Sequence, residues 1–444
     1  MRFRGLAIAC LVLLTLSVGL FWSGRHKPSK AAATAAKGPV ILKVDPANVT
    51  AVTIRSKDEG TLTLKKQDTE KWQIDAPKKL PADQDVVTGL LSNLSPLTAE
   101  RVIENRATNL KNFGLDQPAL ELDITARNRA EQKLLLGDDT PTGDSAYAML
   151  AGDPRIFTVF RFNKTELDKG LNDLRDKRLI TVDPEKVSRI ELIRNGQDME
   201  FGRNADNWQI LKPGPYREDL SAADGLLYAL TGARMNLTGT GSQDADREFS
   251  EGTPVAIAKI TGEAGTQTLE LRKNKDNYFA KSSIVDGSYL VDTSLADAVN
   301  KDLYYFRNKT VFDFSYNEPN KVDLQISGAK AGAGSQSWYL VRSGNDWWLD
   351  GKKMDADSVE SLVSSLRALT ASKFVTAGFT TPQIIATVTS GNGKHVEKVM
   401  IAKSGADYLA KREDDPTLYV VDAGAVEGIQ SAANKIKPAA ASHK

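Results

Sequence analysis

Apolar and polar residues alternate with a period of two through most of the chain after residue 40. Short stretches of helical spacing interrupt the alternation at regular intervals. Period-two alternation predicts antiparallel sheets with one covered face, and the interruptions predict amphipathic helices lying on that face. Three similar units emerge. Each opens on a valine- or isoleucine-rich strand, at Val52 to Arg55, Ile190 to Ile193 and Val322 to Ile326, and reaches a tryptophan strand at Trp72, Trp208 and Trp347-Trp348. The tryptophans are separated by 208 − 72 = 136 and 347 − 208 = 139 residues.

After each tryptophan strand a helix is expected, with Val86, Val87, Leu90, Leu91 and Leu94 as the apolar face of the first. Leu226, Leu227 and Leu230 mark the second, and Val359, Leu362, Val363 and Leu366 the third. Asp83, Ser221 and Asp355 precede these runs and are the expected N-caps, because their side-chain oxygens can accept from unpaired first-turn amides. A proline then leads into another apolar strand at Pro118, Pro254 and Pro382, and further strands include Ala146 to Leu150, Tyr278 to Lys281 and Tyr408 to Lys411. The first two units share an exit, Leu174 to Arg178 and Phe306 to Thr310.

The fold class expected is therefore α+β: three tandem repeats of an antiparallel sheet with short helices, elongated because each repeat mainly meets its neighbours. The repeats are expected at residues 40–179, 180–310 and 311–436, with a tail at 437–444.

The first residues follow a different pattern. Leu6 to Trp22 carries no charged side chain and follows Arg2 and Arg4. Such a run targets a membrane. Its 17 residues span roughly 25 Å as a helix, at about 1.5 Å each. Small-residue sites at Ala31 to Ala35 lie well past Trp22, which favours an uncleaved single-pass anchor (1–22) over a signal peptide. Residues 23–39, rich in Ala, Lys and Ser, read as a tether. The bulk is expected in the periplasm or extracytoplasmic space.

Composition narrows the chemistry. The 444 residues carry 58 Lys plus Arg against 57 Asp plus Glu, a net charge of +1, so no overall field favours nucleic acid. The one cysteine, Cys10, lies in the apolar run, which leaves no disulfide within the remainder of the chain. Of three histidines, His26 and His443 are near the termini and His395 sits in a Gly-Asn-Gly-Lys-His turn, where a solvated hairpin is expected. Histidine-activated nucleophiles and His/Cys zinc sites are correspondingly unsupported. Gly391 to Lys394 lacks the first glycine of a phosphate loop, and His395 stands where that motif needs Ser or Thr.

Two features remain as candidate ligand or partner surfaces. Asp138, Asp139 and Asp144 in the Gly137 to Tyr147 turn could surround a hard cation, against the simpler reading of a long turn between strands. Trp347 and Trp348, adjacent on a strand, must point to opposite sides, so one of them could meet a sugar while the other packs in the core. Arg127, Arg129 and Lys133 make a small basic patch, read as a solvated strand face or turn. No catalytic residue, cofactor or metal site is expected.

Phe113 to Leu122, Phe-Gly-Leu-Asp-Gln-Pro-Ala-Leu-Glu-Leu, followed by Leu134 to Ala148, resembles the bacterial domain of unknown function 4340 family, most strongly from Lys71 to Asn236. The resemblance implies a membrane-anchored envelope protein, often accompanying ABC-type export systems of the gliding-motility auxiliary kind, and it transfers no site residues. The expected function is a non-enzymatic accessory or scaffold protein of the bacterial inner membrane that binds protein partners, a transporter complex among them. An envelope glycan-binding module using exposed aromatics is the alternative, and a carboxylate-dependent hydrolase is the third reading.

Overall fold

The computed structural model describes residues 38–127, 131–204, 207–219, 221–239, 243–314, 319–327 and 334–440. The expected anchor Leu6 to Trp22, most of the tether, Cys10, His26, Arg129 and His443 lie outside these residues. Among the described residues no helix is long and apolar enough to cross a membrane.

Among the described residues the fold is α+β, built on four antiparallel sheets with helices packed on them. The first large sheet runs, edge to edge, Leu80–Pro81, Trp72–Ala76, Gly60–Lys66, Val49–Ser56, Leu120–Ala126, Glu131–Asp139, Ser145–Leu150, Ile156–Phe160 and Arg101–Glu104. The second runs Tyr216–Arg217, Asn207–Lys212, Gln197–Asn204, Val187–Arg194, Thr253–Gly262, Gly265–Asn274, Asn277–Ser282 and Ser288–Val291. The third runs Lys352–Lys353, Asp346–Leu349, Gln336–Ser343, Lys321–Ile326, Ile384–Ser390, His395–Ser404, Asp407–Arg412, Leu418–Val421 and Ala371–Val375. The order of strands is the same in all three. Among the described residues the second shows no counterpart of the outermost strand, and at that edge Asn236 forms a single bridge to Leu290 beside the helix Ala245–Glu251. A small two-stranded sheet pairs Val40–Leu42 with Leu97–Thr98, and Ala99 N–H donates to the Pro39 carbonyl at 2.9 Å.

The alternation read from the sequence appears directly as burial. Leu120, Leu122 and Ile124 point inward from Leu120–Ala126 while their neighbours are half-exposed. The inward side chains meet a helix in each sheet: Gln84–Leu94 buries Val87, Leu90, Leu91 and Leu94, and Ala356–Arg367 buries Val359, Leu362, Val363 and Leu366. Each such residue contributes about 1.5–3 kcal/mol on burial, which is what holds helices of about three turns that would not persist alone.

Asp83 and Asp355 cap these two helices as expected, accepting from Val86 N–H at 3.2 Å and Ser358 N–H at 3.0 Å. Ser221 does not cap Ala222–Thr231. The amide of Ala223 instead donates to Glu218 Oε1 at 2.7 Å, because the strand before the helix carries that buried carboxyl into reach.

The chain divides into two compact units, Met1–Lys177 and Arg178–Lys444. The first contains the first large sheet and the second contains the other two. Each of the three large sheets has its own hydrophobic core. Side chains of the second and third sheets join them into one body.

Candidate junction and basic groove

The acidic turn is built by contact between two glycine-bearing segments. Gly114, with φ of 63°, ends the short helix Leu110–Phe113, and a Cβ there would lie 2.4 Å from the Asp138 carboxylate. A Cβ on Gly137 would come within 2.1 Å of the Phe113 carbonyl oxygen. Phe113 and Tyr147 stack edge to face with centroids 4.9 Å apart. Lys164 Nζ donates to both the Gly137 carbonyl and Asp139 Oδ1 at 2.9 Å, and Arg161 pairs with Asp139 Oδ2 at 3.2 Å. The Asp144 carbonyl accepts from Arg161 N–H at 2.9 Å. The Asp139 carboxylate is therefore committed to two cations, and among the described residues no group of three or more His, Cys, Asp or Glu is placed to hold a metal ion.

Trp347 is buried, at 4% exposure, with Trp72 and Trp208 buried at the corresponding places in their own sheets. Trp348 is 37% exposed on the opposite face, paired across the sheet with Val341 and Lys353. Of the adjacent pair, only Trp348 has surface to offer a ligand. His395 is exposed at the start of its strand, as the turn predicted. Lys133 pairs with Glu121 at 2.8 Å and Arg127 with Glu70 at 2.7 Å, so this basic patch is largely matched by acids.

Within Arg178–Lys444, the second and third sheets meet through arginines. The Arg307 guanidinium lies between two rings, 3.9 Å from the Tyr216 centroid and 3.6 Å from that of Phe374, and donates to Thr417 Oγ1 at 3.1 Å. Burial pulls its pKa below the usual arginine value, offset by Tyr216, Tyr419 and Asp415 nearby. Sandwiching a desolvated guanidinium between aromatic faces recovers about 2 kcal/mol or more per ring.

Arg217 donates to the Thr310 carbonyl and to Tyr419 Oη, each at 3.0 Å, and pairs with Asp313. Tyr419 Oη donates to Asp415 at 2.6 Å, and burial pushes the phenol's pKa up. Arg412 donates to the Val311 carbonyl at 2.8 Å, to Glu397 at 3.0 Å and to both Asp414 oxygens at 3.0 and 3.1 Å. The hydrogen bond from Arg412 holds the Asp414 carboxyl below the usual range.

Glu218 sits at the same junction, its backbone bridged to Arg307. The corresponding bridges join Ala82 to Arg175 and Met354 to Pro438, so two of the three sheets place an apolar residue where the second places an acid. Burial, with Asp219 and Asp224 adding repulsion, pushes its pKa up to about 7 against the amide of Ala223. An unfolded glutamate titrates near about 4.3, so the folded state retains a proton that the unfolded chain has lost. The stability this contributes is complete below about pH 4 and disappears as pH rises towards 7, a change of about 3 kcal/mol. Glu218→Gln keeps an acceptor for Ala223. Urea unfolding should find the variant close to the parent protein near pH 4.5 and more stable than it at pH 8. Equal pH slopes would exclude this role for Glu218.

Beside the junction lies an open groove of about 420 Å³ lined by Arg194, Asn300, Lys301, Asp302, Tyr304, Tyr305 and Lys309. Arg194 is positioned by the end of helix Thr293–Val299, donating to Asn300 Oδ1 at 2.8 Å and the Lys301 carbonyl at 3.2 Å. Lys301 Nζ stands 5.1 Å from the Tyr305 ring centroid and Lys309 Nζ 4.9 Å from that of Tyr304.

The family model described as a domain of unknown function, DUF4340, matches residues 72–251 and again 208–384. Together these cover well over half of the 444 residues. The chain belongs to the DUF4340 family. The two matches of the DUF4340 model start on Trp72 and Trp208, 136 residues apart, and include Lys71 to Asn236, where the resemblance is strongest, but for Lys71 itself. No curated protein and no solved structure matches the chain.

In this DUF4340 chain the two signature segments are the ones whose glycines touch, Gly114 against Asp138 and Gly137 against Phe113, which gives the motif a packing reason. The groove and the arginine junction went unread in the sequence. The one available signal was the exit segment at Phe306 to Thr310, whose arginine and lysine proved to be Arg307 and Lys309.

Proposed function

We propose that this protein is a non-catalytic extracytoplasmic accessory or scaffold protein, anchored in the bacterial inner membrane by Leu6 to Trp22 and composed of three tandem copies of one sheet-and-helix module. Its partners would be envelope proteins, an ABC-type transporter complex of the gliding-motility auxiliary kind among them. The observation that supports this most is the use made of charge at the junction: Arg217 and buried Arg307 fasten two sheets together. Charges spent in this way favour a body that holds its shape while presenting surface to partners.

Two measurements test the proposal. A phosphatase reporter that is active only outside the cytoplasm, fused after Lys444, should be active, and should lose activity when residues 1–37 are removed. Crosslinking in intact cells followed by capture in mild detergent should recover a membrane-protein partner with the full chain. A cytoplasmic reporter result, or recovery of the full chain alone, would reject it.

The envelope-glycan reading retains one supporting observation: Trp348 is exposed while Trp347 is core. Pull-down on purified cell wall that is lost in Trp348→Ala would favour it.

A further inference from the structure

We infer that the groove lined by Arg194, Lys301, Lys309, Tyr304 and Tyr305 is a binding site for an anionic saccharide, a sugar whose ring carries carboxylate or phosphate. The inference goes beyond the scaffold reading and does not depend on where the protein resides.

Charge is the first reason. Arg217 and Arg412, elsewhere in the same unit, each have a carboxylate partner. Among the described residues Arg194, Lys301 and Lys309 have no ion pair, although all three line one concavity. The lone acid there, Asp302, is occupied in capping helix Leu303–Phe306, accepting from Tyr305 N–H at 2.9 Å. With Asp302 still carrying its charge, three cations against one acid leave the lining with an excess of two positive charges, which an anion would offset.

The cations are also positioned. Lys309 Nζ donates to the carbonyls of Tyr305 and Arg307 at 3.1 Å, which leaves one ammonium proton for a ligand. Arg194 is held by two hydrogen bonds on the helix end.

The aromatic rings are the second reason, and they select a sugar over a bare ion. Tyr305 is 45% exposed and Tyr304 39%, so both rings offer open surface in the groove. Tyr304 Oη donates to the Ala371 carbonyl at 3.3 Å, and its ring leans on Phe374 at 5.7 Å, so it is braced from the third sheet. Tyr305 is braced edge-on against buried Phe306 at 5.3 Å. Rigid, exposed, amphipathic rings beside cations suit a sugar's apolar ring face together with its acidic substituent.

Calorimetry on the purified full chain tests this with a hexuronic-acid tetrasaccharide, a neutral tetrasaccharide of the same linkage, inorganic phosphate, and phosphatidylglycerol vesicles. The acidic sugar should bind saturably, at least about tenfold more tightly than the neutral one, and more weakly as salt is raised. Lys301→Gln and Tyr305→Ala should each weaken it about tenfold, with melting temperature unchanged because neither side chain is in the core, and Tyr305→Phe should retain most of the affinity. The inference is overturned if acidic and neutral sugars bind alike, if Lys301→Gln leaves binding intact, or if phosphate or the vesicles bind as tightly as the acidic sugar.

Discussion

Arg412→Met is expected to destabilise the unit Arg178–Lys444 by about 3–5 kcal/mol. Arg412 is buried, and so is its partner Glu397, whose Oε2 also accepts from Asp313 N–H at 2.7 Å. Removing the guanidinium strands a carboxylate in a place that water does not reach, and it also leaves the Val311 carbonyl without its donor. Asp414 and Asp313 lose a partner too, but both are solvated and tolerate it.

The loss is therefore specific to Glu397, and this gives the prediction its second arm. Glu397→Gln combined with Arg412→Met keeps an acceptor for the Asp313 amide and removes the stranded charge. The double variant should recover about half of the lost stability or more, so that a double-mutant cycle shows strong coupling. Denaturant unfolding reads both. Additive effects, or an Arg412→Met variant within about 1 kcal/mol of the parent, would show that the buried pair does not stabilise the third sheet.

Trp347→Ala should cost about 3–5 kcal/mol and Trp348→Ala less than about 1 kcal/mol, although the two residues are neighbours in sequence. Trp347 fills the core between the third sheet and its helices, among Leu340, Met354 and Leu362. Its removal opens a cavity the size of an indole, which the surrounding strands cannot close without breaking their register. Trp348 rests on the outer face, where water fills the space that it leaves. Urea unfolding of both variants decides the matter. Comparable losses would mean that the outer tryptophan is also structural, and that the Trp348 surface is unavailable to a ligand.

The same adjacent pair shows how far sequence reasoning reached. A strand forces neighbours to opposite faces, so one buried and one exposed tryptophan could be foreseen. Which one is inward depended on the register of Asp346–Leu349 against Gln336–Ser343, in which Trp347 lies opposite Arg342 and Trp348 opposite Val341. Asp83 and Asp355 were legible as caps because capping acts over three residues. Ser221 was misread because the acceptor that replaced it, Glu218, lies just past strand Tyr216–Arg217 and is held there by a bridge to Arg307, far along the chain.

By itself the sequence determined the α+β class, the alternating faces of the strands, the helices that follow each tryptophan and the DUF4340 membership, since these depend on local periodicity or short-range pattern. Only the tertiary structure decided that the second and third sheets form one unit, that Asp139 is committed to Lys164 and Arg161, and that three cations and two tyrosines share a groove. Each of those facts joins residues far apart in the chain: Arg217 reaches Tyr419 across 202 positions, and Arg194 reaches Lys301 across 107. Charge pairing and aromatic stacking act between neighbours in space, and no period along the chain encodes which distant residues become neighbours.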